Sequence, residues 1–188
     1  MSYYFEIRIL DDPDFPSYQI LSVVYNRLHE ILVRFNCDHI GVSFPDYQLK
    51  SRSLGSKIRL YGSKEHLNQL LEDSWLKRGL RDHITVTELL PVPSGVKYCH
   101  FSRSQPKLNV ERLIRRHQHR HDLSYEEAAA KYEGAKLSNT SLPFVRIRSK
   151  STAQEFALFI QQSELLDQPL EGVFNTYGLS SDATVPWF

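Results

Sequence analysis

Cysteine is almost absent from this chain: Cys37 and Cys99 are the only two among 188 residues. Two are too few for a disulfide framework or a thiolate metal knuckle, and the expectation is a reducing, cytoplasmic setting with no metal and no other cofactor. Long apolar runs are missing as well. None approaches the roughly 20 residues that cross a bilayer, and no hydrophobic segment of the signal-peptide kind follows Met1, so no membrane role is expected. Internal repeats and low-complexity stretches are absent, and the net charge is only +1. What is left is a globular chain of ordinary composition, long enough for one sizeable domain or two small ones.

The near-neutral total hides an asymmetry. From Arg103 to His121 there are six Lys/Arg (Arg103, Lys107, Arg112, Arg115, Arg116 and Arg120) against one acid, Glu111. On a helix Arg112, Arg115, Arg116, His119 and Arg120 fall at i, i+3, i+4, i+7 and i+8 and share one face. Leu108, Leu113 and Ile114 are the apolar residues available to anchor it. Like charges at that spacing repel by a few tenths of a kcal/mol per pair, and one acid cannot offset them. A solvated face with scattered counter-ions therefore explains the run less well than a polyanion does, most simply a nucleic-acid backbone.

Residues 1–93 show two periodicities in alternation. Tyr3 to Ile9 reads as a strand, Asp11 to Pro16 as a turn, and Ser17 to Phe35 as a helix. In that helix Ile20, Leu21, Val24, Leu28, Ile31, Leu32 and Phe35 form an apolar stripe, with His29 just off it. Ile40 to Phe44 and Ile58 to Tyr61 read as strands. Ser63 is a good cap for a helix from Lys64 to Glu72, and Ile84 to Leu90 reads as a fourth strand. This β-α-β-β-α-β order predicts an α+β fold whose N-terminal part is ferredoxin-like, the architecture of RNA-recognition modules. Fold alone licenses no function, and the base-stacking aromatics of such modules are missing as a pattern.

Pro91 to Gly95 reads as a linker, giving a first domain of residues 1–93 and a smaller, less regular α+β domain of residues 94–188. The second should hold a strand near Lys97 to Arg103, then the cationic helix. A further helix should begin at Ser124 with Glu126 and Glu127 in its first turn, followed by a strand pair at Leu142–Ser149 and Glu155–Ile160. His117 and His121 stand four apart, but no further ligand completes a zinc site and the arginines would repel a cation.

Several stretches occur in a particular order: Gly41-Val42-Ser43-Phe44-Pro45, Arg81-Asp82-His83, Ser102-Arg103-Ser104-Gln105, Arg120-His121-Asp122-Leu123-Ser124, Leu142-Pro143-Phe144-Val145, Tyr177-Gly178-Leu179-Ser180 and Val185-Pro186-Trp187-Phe188. Through them the chain closely resembles, collinearly from its first strand to the terminal Trp-Phe, the precursor-RNA processing endoribonucleases of type I-F CRISPR systems. These are the Csy-type repeat endonucleases. The resemblance implies an enzyme that recognises a hairpin in the transcribed repeat, cuts at the 3′ base of its stem and stays bound to the product as a monomer. Other type I-F surveillance-complex proteins would be further partners.

The resemblance also implies a division of roles. His29 matches the family's active-site histidine; an imidazole's ordinary pKa near 6.5 suits accepting a 2′-OH proton at neutral pH. Read without the resemblance, His29 is more simply a partly buried helix histidine with a backbone partner, and it is the resemblance that reverses this. Ser149 matches the serine that holds the 2′-OH or its ribose, although a strand-end serine commonly just bonds its own backbone. Ser151 and Thr152 stand close by as further RNA contacts. Tyr177 matches a tyrosine that orients the histidine, with core packing as the alternative.

Arg103 and Gln105 match a pair that reads base edges, Arg on G and Gln on A. An exposed polar strand is the competing account. Phe156 matches an aromatic that stacks under the last base pair, while alternation also puts it with Leu158 and Ile160 in a core. Arg115, Arg116, Arg120 and His121 match groove and phosphate contacts, with Lys107 and Arg112 extending the set. His119 stands where the family often has arginine, and a histidine contact there makes binding tighten as pH falls.

Three readings compete. A metal-independent, hairpin-specific endoribonuclease uses all these residues. A non-catalytic RNA-binding scaffold of a CRISPR ribonucleoprotein shares the helix and the fold, so only His29, Ser149 and Tyr177 separate the two. A DNA-binding regulator would use the cationic helix alone, and no helix-turn-helix spacing supports it.

Overall fold

The first strand is long because Tyr3 to Ile9 alternates a fully apolar set with a polar one. In the computed structural model, which describes all residues except 77–78, 106–109, 133–140 and 150–152 and only the backbone of Val110 and Arg112, that segment is β1 (Tyr3–Ile9). There follow α1 (Ser17–Arg34), β2 (Gly41–Ser43), β3 (Lys57–Gly62), α2 (Lys64–Glu72), β4 (Ile84–Val86), β5 (Leu90–Pro91), β6 (Lys97–Cys99) and β7 (Phe101–Ser104). The chain continues through α3 (Val110–His121), α4 (Tyr125–Ala130), β8 (Phe144–Arg148), β9 (Glu155–Gln162) and β10 (Val185–Trp187). It is a mixed α/β chain built on antiparallel sheets with few helices.

One sheet runs β2-β3-β1-β4, with β5 also on β1. Phe5, Ile7 and Leu60 join the stripe of α1 and Leu67 and Leu70 of α2 in the core. Each large apolar side chain buried there contributes about 1.5–3 kcal/mol. On the opposite face Arg8 is exposed, but Glu6 is covered too. Glu6 is buried against Arg59 at 3.0 Å, and Arg59 lies 4.1 Å from the ring of Phe188 and 5.1 Å from that of Tyr4. The aromatics on this side, Tyr4 and Tyr61, are thus taken by the chain's own Phe188.

The fourth strand is shorter than its alternation predicts. Thr87 interrupts it: its hydroxyl accepts from Glu6 N while its own N donates to Glu6 O, so one residue occupies both ladder positions. β4 and β5 pair with β1 on either side of this break. The strand expected over Lys97 to Arg103 is likewise divided, at His100, because its halves serve different sheets. β6 pairs with β10, and β7 enters the sheet β7-β9-β8. Pro91 is itself paired to Tyr3, so the predicted linker begins in a strand. The strand pair at β8 and β9 forms as expected, with Val145 and Ile147 buried and Phe144, Arg146 and Arg148 outward.

By contacts the chain makes two compact units, residues 1–104 with 142–188, and residues 105–141. The second holds α3 and α4. Ile114 is buried, as its anchoring role requires. Asp122, at φ 51°, ends α3 in the left-handed region that aspartate tolerates, and Leu123 N reaches back to Gln118 O. Ser124 and Glu127 close a reciprocal capping box on α4.

Candidate active site and nucleic-acid interface

His29 lies on α1 one residue after the core residue Leu28, so its ring leaves the helix at the border of the buried stripe. Its Nδ1 is 2.8 Å from the carbonyl oxygen of Thr176. A carbonyl can only accept, so the proton sits on Nδ1 and the neutral imidazole keeps its lone pair on Nε2. The ring also stacks on Tyr177, with centroids 3.9 Å apart and planes 14° apart. One backbone oxygen and one aromatic face therefore hold both the tautomer and the plane of the imidazole.

The segment that supplies them is a tight turn. Asn175 Oδ1 accepts from the amides of Tyr177 (2.8 Å) and Leu179 (3.3 Å), and Gly178 N donates to Asn175 O. Gly178 has φ +69°, and a side chain there would strike Val42. Its carbonyl accepts from Val42 N at 2.9 Å, which ties the turn to β2. Tyr25, one helical turn before His29 and fully buried, donates from its phenol to Tyr177 O at 2.7 Å.

Ser149 reaches the same place from the end of β8. Its amide donates to Gln154 O and closes the β8–β9 hairpin. Asn26 fixes the strand against α1. Its Nδ2 donates to Arg146 O at 2.7 Å and its Oδ1 accepts from Arg148 N at 2.9 Å, so one side chain pairs with the strand edge as a neighbouring strand would. Ser22, one turn earlier, accepts from Arg146 N. These bonds bring His29, Ser149, Tyr177 and Phe156 to one cavity of about 260 Å³, to which Glu30 and Arg148 also contribute.

Arg103, exposed on β7, places its guanidinium 5.8 Å from the Phe156 ring and 6.0 Å from the Tyr177 ring. Arginine, phenylalanine, tyrosine and histidine thus form a connected set. Phe156 packs against the core, as its alternation predicts, and also lines the cavity. Gln105 is exposed, as alternation after Arg103 requires. On α3, Arg115, Arg116, His119, Arg120 and His121 are all exposed. The single acid, Glu111, pairs with Arg115 at 2.7 Å. His117 lies against His121 and Tyr132, and burial followed by the charges of Lys131, His121 and Arg120 lowers its pKa. Lys107, Ser151, Thr152 and the side chain of Arg112 lie outside the described residues.

Sequence reasoning missed Tyr25, Asn26, Asn175 and the Thr176 carbonyl. An asparagine two residues before the amide it accepts is an Asx-turn signal that was available at Asn175. Asn26 is a poor helix former in mid-helix, but nothing local says that it reaches a strand edge 120 residues away.

A histidine of fixed tautomer thus stands beside a serine and an arginine-flanked aromatic set, in a chain that also carries an exposed cationic helix. The chain belongs to the family described as CRISPR-associated protein (Cas_Csy4), which it matches over residues 4–188. It is 45% identical over 188 residues to the CRISPR-associated endonuclease Cas6/Csy4 of Pseudomonas aeruginosa (strain UCBPP-PA14), with both chains wholly covered. The protein of the same name from Escherichia coli (strain UTI89 / UPEC) is 38% identical over the same span, again with both chains wholly covered. The family that the sequence motifs resemble is therefore the family of this chain.

Proposed function

We propose that this protein is the CRISPR repeat-processing endoribonuclease of a type I-F system, cutting a repeat hairpin at the 3′ base of its stem without a metal ion. The observation that carries the reading is the bond from His29 Nδ1 to Thr176 O, in a cavity shared with Ser149. It leaves Nε2 as the base for a proton that RNA itself supplies. His29 takes the 2′-OH proton, the 2′-oxygen bonds to phosphorus, and the bond from phosphorus to the 5′-oxygen breaks. The leaving oxygen takes up one proton, giving a 2′,3′-cyclic phosphate and a 5′-hydroxyl. Ser149 holds the 2′-OH or its ribose, and Tyr177 acts as a positioning residue through its stack on His29.

Recognition falls to Arg103 and Gln105 at base edges, to Phe156 beneath the last pair, and to Arg115, Arg116, His119, Arg120 and His121 along the stem. Lys107, Arg112, Ser151 and Thr152 complete the RNA contacts. The antiparallel order β2-β3-β1-β4 supports a ferredoxin-like reading of residues 1–93, which carry the base. Residues 94–188 carry the RNA-binding groups and the serine. We place the enzyme in the cytoplasm as a monomer that keeps its cleaved RNA and joins other type I-F surveillance-complex proteins.

The test is incubation of the purified protein with type I-F repeat RNA in EDTA, with end-group analysis. One cut leaving a cyclic phosphate and a 5′-hydroxyl is the expected result. A requirement for magnesium, or a 3′-hydroxyl product, overturns the mechanism.

A further inference from the structure

The catalytic cavity does not end at Ser149. A second hollow of about 460 Å³ shares Asn26 with it and is walled by Tyr18, Arg146 and Glu155. A third, of about 960 Å³, shares Tyr18, Ser22 and Arg146 with the second and reaches Phe144 and Arg52. Together they form one groove along the seam between α1 and β8, and the bonds from Ser22 and Asn26 to the strand edge close its floor.

The two walls have matching periods. On β8 the outward residues Phe144, Arg146 and Arg148 recur about every 6.6 Å. On α1, Tyr18, Ser22 and Asn26 recur every four residues, about 6 Å apart. Tyr18 is 63% exposed and Phe144 44% exposed, large apolar surfaces that the protein itself leaves open. Guanidiniums interleaved with open aromatic rings are the equipment of a single-strand nucleic-acid track, in which cations follow the backbone and rings stack bases. Acids are present too. Asp46 is already held by Lys57 and Ser56, while Glu155 stands across from Arg148 in the strand register.

We propose that this groove holds the single-stranded RNA 3′ of the scissile phosphate, with Arg148 and Arg146 on successive phosphates and Tyr18 and Phe144 against bases. The inference rests on the endoribonuclease reading and extends it. Paired residues share a face, so the register places Arg103, Phe156 and Ile147 on one face of the β7-β9-β8 sheet and Arg146 and Arg148 on the other. The cavity at Ser149 is lined from both faces, by Phe156 and by Arg148. A stem end seated on Phe156 and Arg103 therefore sends its 3′ strand around Ser149 and into the groove. The backbone turns at the bond that is cut.

The experiment uses repeat RNA made uncleavable by a 2′-deoxy sugar at the cut, ending there or continuing for one to four nucleotides. Affinity is expected to rise about fivefold to a hundredfold with the flank, one or two stacked bases' worth. Tyr18→Ala and Arg146→Ala are expected to remove most of that gain while leaving affinity for flank-less RNA unchanged. Arg146→Ala should also flatten the salt dependence of the flanked RNA by about 0.7 in log–log slope. Glu155→Gln should increase the gain. No gain from the flank, or equal losses on both RNAs, overturns the proposal while the endoribonuclease reading stands. Failure of the wild-type protein to cut ordinary repeat RNA overturns both.

Discussion

The phenol of Tyr25 donates to the carbonyl of Tyr177 at 2.7 Å, one residue past the carbonyl that receives His29 Nδ1. Tyr25 and His29 stand four apart on α1, so two successive side chains of one ridge grip two adjacent carbonyls of one turn. Burial, with a smaller contribution from Tyr177, pushes the Tyr25 phenol well above its ordinary pKa and keeps it a donor. The pose of the His29 ring is thereby referenced to the core and not to the surface.

Tyr25→Phe removes that donor and leaves the Tyr177 carbonyl unsatisfied. The expected cost is about 1–3 kcal/mol of stability, read from the midpoint of urea unfolding. An unchanged midpoint would mean the carbonyl finds another donor.

His29→Ala should lower the single-turnover cleavage rate by about 10²- to 10⁴-fold, the usual contribution of a general base, with hairpin affinity largely kept. A loss of affinity as large as the loss of rate would make His29 a binding residue instead.

Gly178→Ala forces a side chain into Val42 at a positive φ. Backbone strain alone costs about 1–3 kcal/mol. Because the turn carries the Thr176 carbonyl and the Tyr177 ring, cleavage should fall more than hairpin binding. Thermal unfolding and a rate measurement on the folded fraction check both parts.

Acid should destabilise the protein through two aspartates. Backbone hydrogen bonding from Asp14 is the main influence that lowers the Asp12 pKa, with Phe15 and His83 adding to it. At Asp46 burial opposes ionisation, but the bond and charge of Lys57 and the bonds of Ser56 outweigh it. Both carboxylates titrate lower when folded than unfolded, so their stabilisation is complete above the unfolded pKa near 3.8 and is lost as pH falls below it. Unfolding midpoints from pH 6 to 3 should decline less in Asp12→Asn and Asp46→Asn than in the parent.

Arg116→Ala on the exposed face of α3 should weaken hairpin binding and reduce its log–log salt slope by about 0.7–0.9, one phosphate contact's worth. A weaker complex with an unchanged slope would assign Arg116 to a base edge.

Much of the architecture was legible because it rests on local periodicity. The stripe from Ile20 to Leu32 is buried as read, α2 begins at its Ser63 cap, and β8 alternates Val145 and Ile147 inward with Arg146 and Arg148 outward. The strand breaks at Thr87 and His100 were not legible. Each depends on a partner elsewhere: Glu6 for the first, Ser163 and Ala183 for the second. Of the site, His29, Ser149, Tyr177 and Phe156 could be named in advance and share a cavity. Asn175, which accepts from amides two and four residues on, carried a local turn signal, but Tyr25 and Asn26 could not be named, since a polar side chain in a helix carries no mark of the distant backbone it binds.

The sequence by itself determined the order of strands and helices, the cationic face of α3 and the membership of a family, because periodicity, charge spacing and collinear motifs are properties of the chain alone. Only the tertiary structure decided that His29 keeps its lone pair on Nε2. That choice belongs to the Thr176 carbonyl, 147 residues away along the chain, and a tautomer is set by whichever acceptor the fold brings within 2.8 Å.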